Sequence, residues 1–305
     1  MPDLLRDQLF SSNPYADFDA DAYPPDLQGW GSQHPIFERL LAELRPRRVI
    51  EVGTWKGASA LHMAECLRRL GIEAEIVCID TWLGSLEFWK DKQDPDRYLS
   101  LNLRNGYPSV YYQFLANVLK TGMQALITPF PQTARIGARW LTVHGVQAEL
   151  IYIDASHEEE EVLSDLLDFW PLVAPGGVLL GDDHDEYWPG VRSAVARFTR
   201  QLGLQPEVDD GKWLLRKPLD WDPARLAVSS QDPVSLATSV RFEVISEQLV
   251  KLLNRTDQNT ALADQLGSAQ QRLHELDRWF SHISKTRTWR WVARRVIARR
   301  GTPWG

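Results

Sequence analysis

Hydrophobic and polar positions along the chain alternate between two patterns. Short β-branched apolar runs are separated by longer stretches in which apolar residues recur at helical spacing. The first run, Arg47-Arg48-Val49-Ile50-Glu51-Val52-Gly53, predicts a strand that ends in glycine. Ala58 to Leu70 has helical spacing and stops at Gly71. Further strands are predicted at 75–80 (EIVCID), weakly at 125–127, at 149–154 (ELIYID) and at 178–180 after the turn Pro175-Gly176-Gly177. Helices are predicted from Glu158 to Trp170, halted by Pro171, and from about Val191 to Leu202. Residues 206–216 read as a hairpin around Asp210-Gly211. Strands alternating with helices predict a Rossmann-like α/β fold, a doubly wound and mostly parallel sheet.

Three stretches break this rhythm. Between Leu83 and Gln124 lies an insertion carrying Trp89, Tyr98, Tyr107, Tyr111 and Tyr112, either a lid or binding segment or a small packed subdomain. From Pro218 the pattern weakens and prolines recur, as in a linker. Then Ile245, Leu252, Asn259, Leu266, Leu273 and Phe280 share one heptad position, and Leu262, Ala269, Leu276 and Ile283 another. A coiled coil that pairs chains into a homo-oligomer is expected, against an amphipathic helix folded back on the body. The expected organisation is an N-terminal extension (1–26), an α/β domain (27–217), a linker (218–242), a coiled-coil helix (243–283) and a tail (284–305).

Composition narrows the class. With 305 residues, 44% of them hydrophobic and 25% charged, the chain is neither disordered nor collagen-like. No apolar run reaches transmembrane length. The first residues carry acids where a secretory signal has bases and then an apolar stretch. The two cysteines, Cys66 and Cys78, read as core thiols of a reducing compartment, so a cytoplasmic protein is expected. The net charge of −7 is a balance between +8 in 278–305, which has no acid, and −15 before it. An acidic body repels phosphates, so nucleic acid is not an expected partner. In the tail, Trp289, Val292 and Val296 share a helical face and arginines fill much of the rest. This suits an anionic membrane surface, such as the inner face of the membrane, or packing on the acidic body.

Chemistry concentrates at the predicted strand ends. Glu51-Val-Gly53-Thr-Trp-Lys-Gly57 joins the first strand to a helix, where glycines let the backbone turn beside a nucleotide-like ligand. Asp80, ending the second strand, is placed to hydrogen-bond ribose hydroxyls. A dinucleotide site would want G-x-G-x-x-G, but Trp55 stands at the middle glycine. The acidic strand end suits the ammonium of S-adenosylmethionine, which carries no phosphate. Asp154-Ala-Ser-His157 follows the fourth strand and Gly181-Asp182-Asp183-His184 the fifth, so three carboxylates converge at one sheet edge. Such a cluster calls for a cation, and oxygen ligands suit a hard divalent ion such as Mg²⁺. His157 would lie beside that ion as a base. Any single aspartate could instead cap a helix or sit in a solvated loop.

The segments QGWGSQHPIF, VIEVGTWKGASALHMA, CIDTWLGS, ITPFPQTA, IYIDASHEEEEVLSDL and GGVLLGDDHDEYWPGVRSAV resemble class I S-adenosylmethionine-dependent methyltransferases. More closely, they resemble the metal-dependent sugar O-methyltransferases of macrolide and aminocoumarin tailoring and of polysaccharide gene clusters. The resemblance spans about residues 27–217. It implies a cofactor site at Glu51, Gly53, Gly57, Asp80 and Asp154, with Thr81 and Trp82 near the adenine. It also implies metal ligands Asp154, Asp182 and Asp183. His157 is the implied base, since Ser156 stands where other relatives place an aspartate. Asp183 and His184 are the next candidates. The implied reaction is methyl transfer to a sugar hydroxyl of a glycan or lipid-linked oligosaccharide. Rival readings are a phenolic or natural-product O-methyltransferase and a non-catalytic scaffold of a biosynthetic complex.

Overall fold

Parallel strands covered on both faces need apolar residues at successive positions, and five runs in this chain supply them. The computed structural model describes residues 4–223 together with Leu226 and Gln271. In it β1 (Arg48–Val52), β2 (Glu75–Asp80), β3 (Ile127–Pro131), β4 (Ala148–Ile153) and β5 (Val173–Gly181) form the parallel part of a seven-stranded sheet. The hairpin β6 (Glu207–Asp209) and β7 (Lys212–Arg216) completes it, β7 running antiparallel to β5. The strand order is β3-β2-β1-β4-β5-β7-β6.

Alternation along the strands sorts two cores. Val49, Ile76, Cys78, Leu150, Tyr152, Val178 and Leu180 face α2 (Ile36–Leu44), α3 (Ala58–Leu70) and α5 (Val110–Thr121). Ile50, Val52, Val77, Ile79, Ile151, Ile153 and Leu179 face α6 (Ala134–Val143), α7 (Glu159–Phe169) and α8 (Pro189–Leu202). Strand order reverses direction between β1 and β4, and the crevice at the carboxyl ends there is where open α/β sheets bind ligands.

Several expected boundaries are corrected. The weak strand at 125–127 lies two residues further on, at β3, and a helix follows it that the apolar spacing had not revealed. The insertion forms α4 (Leu86–Lys90) and α5, and α5 is buried through Val110, Phe114 and Val118. It is therefore part core and part cavity wall. Residues 4–26 are no appendage. The amides of Leu5 and Arg6 in α1 (Leu5–Leu9) donate to the carboxylate of buried Glu75, and the Tyr15 hydroxyl donates to the Ile127 carbonyl. At the other end Trp221 packs edge-on against Trp170 at 5.2 Å and Leu226 joins the same core, so the domain runs beyond 217. The expected coiled coil and basic tail lie outside the described residues.

Candidate active site

Three loops at the carboxyl ends of β1, β2 and β5 hold non-glycine residues at positive φ: Trp55 (50°), Trp82 (54°) and Asp183 (64°). That conformation is costly for a side chain bearing a Cβ, and it persists where the surroundings impose it. A cavity of about 880 Å³ opens over these loops.

On the β1–β2 side, Gly53, Thr54, Trp55, Ser59, Asp80 and Thr81 line it. Gly53 has φ 80°, and a Cβ there would overlap the carbonyl oxygen of Asp154, so this glycine lets the β1 loop close against β4. Glu51 does not reach the cavity. It is fully buried, accepts hydrogen bonds from Thr54 and from Ser59 Oγ at 2.5 Å, and burial pushes its carboxyl up to about 7. It therefore shapes the site through Thr54 and Ser59. Gly57 also stays off the wall, and a Cβ there would meet the Phe114 ring at 2.8 Å. Trp82 is buried as well, its indole N–H donating to the Trp55 carbonyl at 2.7 Å.

Asp80 lines the cavity but is engaged with its own backbone. Its Oδ2 accepts from the amides of Thr54 (2.9 Å) and Trp55 (2.8 Å), and Oδ1 from Trp82 (2.7 Å). Burial raises its pKa while these amides pull the other way. The residue read as a ribose acceptor thus also ties two loops together.

On the β4–β5 side, Asp154, His157 and Asp183 each offer a ligand atom within 4.8 Å of the others. His157 Nε2 and Asp183 Oδ2 are 3.0 Å apart, and the imidazole stacks on Trp188 with ring centroids 3.7 Å apart. Nδ1 of His157 is buried with no hydrogen-bond partner, and Glu87 Oε1 from α4 stands 3.9 Å away. Burial works against the charged imidazole, but Asp183, Asp154 and Glu87 outweigh it and raise its pKa. Burial, and then the charges of Asp182 and Asp183, raise that of Asp154. The carboxylates of Asp154 and Asp183 fit a divalent cation by their donor chemistry, and the orphaned Nδ1 of the imidazole beside them can accept a proton.

Asp182 stands apart from this trio. Its Oδ2 is ion-paired to Lys212 Nζ and lies 3.2 Å from the Tyr152 hydroxyl, and its Oδ1 accepts the Asp183 amide at 2.9 Å. Lys212 is buried, and no sequence motif had marked it. One signal was available: Lys212 shares the parity of buried Leu214 on β7, so a charge falls on an apolar face. Tyr152 and Glu87 were likewise missed, the first as a strand residue and the second inside the insertion. His184 is not among the residues lining this cavity.

Residues 50–184 match a family described as a methyltransferase domain, Methyltransf_24. That stretch of the chain is similar to a methyltransferase domain. This agrees with the resemblance to class I S-adenosylmethionine-dependent methyltransferases read from the sequence. A curated relative from Streptomyces olivaceus, 8-demethyl-8-(2,3-dimethoxy-alpha-L-rhamnosyl)-tetracenomycin-C 4'-O-methyltransferase, is 29% identical over 179 residues. The alignment covers 57% of this chain and 66% of the relative, just under two thirds of its length. Among solved structures, the O-methyltransferase NovP aligns with TM-score 0.44 and 16% identity, covering 60% of this chain and 78% of that one. The calicheamicin methyltransferase CalS11 aligns with TM-score 0.44 and 17% identity, covering 59% and 76%. The cavity is lined by residues within and around 50–184, and no helix among the described residues is long and apolar enough to cross a membrane.

Proposed function

We propose that the chain is a divalent-cation-dependent O-methyltransferase that moves the methyl of S-adenosylmethionine to a sugar hydroxyl of a glycan or glycoconjugate. The observation that carries this reading is one cavity lined both by the β1–β2 loops and by Asp154, His157 and Asp183. The sugar acceptor rests on the named activity of the tetracenomycin relative. Exposed Trp30 and Tyr187 at the cavity wall offer faces on which a sugar ring could stack.

Asp154 and Asp183 would hold the cation, which when bound would lower the pKa of an acceptor hydroxyl. His157 would donate an Nε2–H hydrogen bond to Asp183 and accept the acceptor's proton at Nδ1, becoming an imidazolium that Asp183 stabilises. The acceptor oxygen bonds to the methyl carbon as the sulfur leaves with its electron pair, giving a methyl ether and S-adenosylhomocysteine. Orienting the two substrates in one walled cavity would supply much of the acceleration.

The direct test is transfer of labelled methyl from S-adenosylmethionine into a lipid-linked glycan extract, followed by linkage analysis. Transfer lost in EDTA and restored by Mg²⁺ or Mn²⁺ is expected, and full transfer in EDTA would refute the cation. Replacing His157 by Ala is expected to cut turnover on the order of 10²–10⁴-fold with cofactor affinity retained. Because the carboxylates raise its pKa, the base form of His157 is lost as pH falls through a value above about 6.5. Activity should therefore rise with pH across that limb, and the variant should lack it.

The C-terminal region is read as pairing chains through the heptads and placing the domain at an anionic surface. Truncation after Leu226, which keeps the contacts of Trp221 and Leu226, should leave a folded monomer active on a small soluble acceptor. It should lose binding to anionic vesicles, and binding by the full chain should fall with salt. A truncated chain that still oligomerises and binds vesicles would contradict this reading.

A further inference from the structure

Seven carboxylates line the cavity, Glu87 from α4 among them, against His157 and two guanidinium groups, those of Arg97 and Arg135. So acidic a wall repels an anionic ligand except where a cation is fixed and available to bind it. Arg135 is exposed in the first turn of α6, at the carboxyl end of β3. Arg97 is half-buried and belongs to the insertion that also carries Glu87, whose Oε1 stands 3.9 Å from His157 Nδ1. It thus comes from the segment that reaches the proposed base.

The chain fixes the position of Arg97 and leaves its charge unused. Asp94 Oδ1 accepts the amides of Asp96 (2.9 Å) and Arg97 (3.0 Å), so this neighbouring carboxylate is committed to the backbone. Ser100 Oγ donates to the Arg97 carbonyl at 2.8 Å, and Gln28 Nε2 donates to the Asp96 carbonyl at 2.7 Å. The second bond ties the turn to the segment that carries Trp30. The exposed Trp30 indole meets Phe88 of α4 edge-on at 6.2 Å, on the wall of the same cavity. Among the described residues the Arg97 guanidinium has no ion pair and no hydrogen bond. An arginine that merely balanced charge among so many acids would be paired with one of them. A guanidinium presents parallel N–H donors that match a carboxylate or a phosphate group.

We propose that Arg97 is the recognition point for an oxyanion carried by the acceptor sugar, so that the enzyme selects an anionic acceptor over a neutral one. The oxyanion is a phosphate ester at the sugar's reducing end or the carboxylate of a uronic acid. In either case Trp30 takes the ring and Arg97 the anionic substituent, which leaves a hydroxyl for His157. The inference rests on the sugar O-methyltransferase reading of this cavity.

The test uses the full chain and transfer of labelled methyl into the lipid-linked glycan extract in saturating Mg²⁺. The extract is offered in three forms: intact, after mild acid has cleaved the phosphate linkage, and after carbodiimide activation and borohydride reduction have made uronates neutral. Transfer should fall about tenfold or more in one treated form, the loss expected for one charge-assisted hydrogen-bonded pair. Acid-sensitive transfer identifies the phosphate and reduction-sensitive transfer the uronate. Equal transfer into all three forms would overturn the proposal.

Arg97→Gln should raise the KM for the intact acceptor about tenfold or more with kcat little changed, because binding is lost away from the reacting atoms. Arg97→Lys, which keeps the charge without the fork, should fall between the two. Calorimetry with S-adenosylhomocysteine separates the acceptor's oxyanion from the carboxylate of the cofactor itself. Its affinity should be unchanged in Arg97→Gln. An affinity about tenfold lower would assign Arg97 to the methionine end of the cofactor and overturn the proposal, as would an unchanged acceptor KM. Wild-type protein that transfers no methyl into the intact extract would contradict the sugar O-methyltransferase function itself, a result distinct from these.

Discussion

Asp154→Asn and Asp183→Asn are each expected to lower turnover on the order of 10²-fold or more, with S-adenosylmethionine still bound. The two side chains belong to the group of converging ligand atoms, and amides are poor substitutes for carboxylates toward a hard cation. Asparagine is the right replacement at both positions. Asp183 has φ 64°, which asparagine tolerates, whereas alanine would add backbone strain to the loss of charge. At position 154 an amide oxygen can still accept the Tyr152 hydroxyl, which lies 2.8 Å from Oδ2. Losing Asp183 also frees His157 Nε2, so this variant should disturb the pH profile as well as the rate. Steady-state rates in saturating Mg²⁺ or Mn²⁺, with cofactor affinity from calorimetry, provide the check. Wild-type rates in both variants would remove the cation from the account.

Asp80→Ala is expected to do two kinds of damage together. The carboxylate accepts three backbone amides from the β1 and β2 loops, and each buried donor left unsatisfied costs about 1–3 kcal/mol. Two of those donors belong to Trp55 and Trp82, which already sit at positive φ, so the loops have no easy alternative arrangement. The melting temperature should fall by roughly 5 °C or more. Cofactor affinity should fall at least tenfold, since Thr54, Trp55 and Thr81 line the same wall. Asp80→Asn, which keeps an acceptor oxygen, should be intermediate in both. A variant with normal melting and weakened affinity would mean that Asp80 contacts only ligand. Normal values for both would remove Asp80 from the site.

How much of this was legible before the structure depends on the kind of signal. The strands at 48–52, 75–80 and 148–153 are apolar, largely β-branched runs buried at all but one position each, so periodicity and composition agree about them. The hairpin was equally plain, because Asp210 and Gly211 take φ 45° and 82°, the turn that pair of residues favours. The three aspartates and His157 were found because strand ends of a parallel sheet share an edge. What was hidden depends on contacts between distant segments. Leu5 and Arg6 reach Glu75, Gly31 covers Lys212, and Glu87 arrives beside His157 from the insertion. Lys212 is the instructive case. Three converging carboxylates require a balancing cation, but that cation need not be a metal alone. A lysine 30 residues beyond Asp182 meets part of that demand.

The central claim is that methyl donor and divalent cation share one cavity, with the reacting methyl beside Asp154 and Asp183. The most direct test is paramagnetic relaxation of the S-methyl protons of bound S-adenosylmethionine, measured with Mn²⁺ in the absence of acceptor. Strong, distance-dependent relaxation is predicted for wild type and its loss for an Asp154→Asn/Asp183→Asn double variant that still binds the cofactor. Bound cofactor and bound Mn²⁺ with no relaxation between them would place the two sites apart and contradict the account.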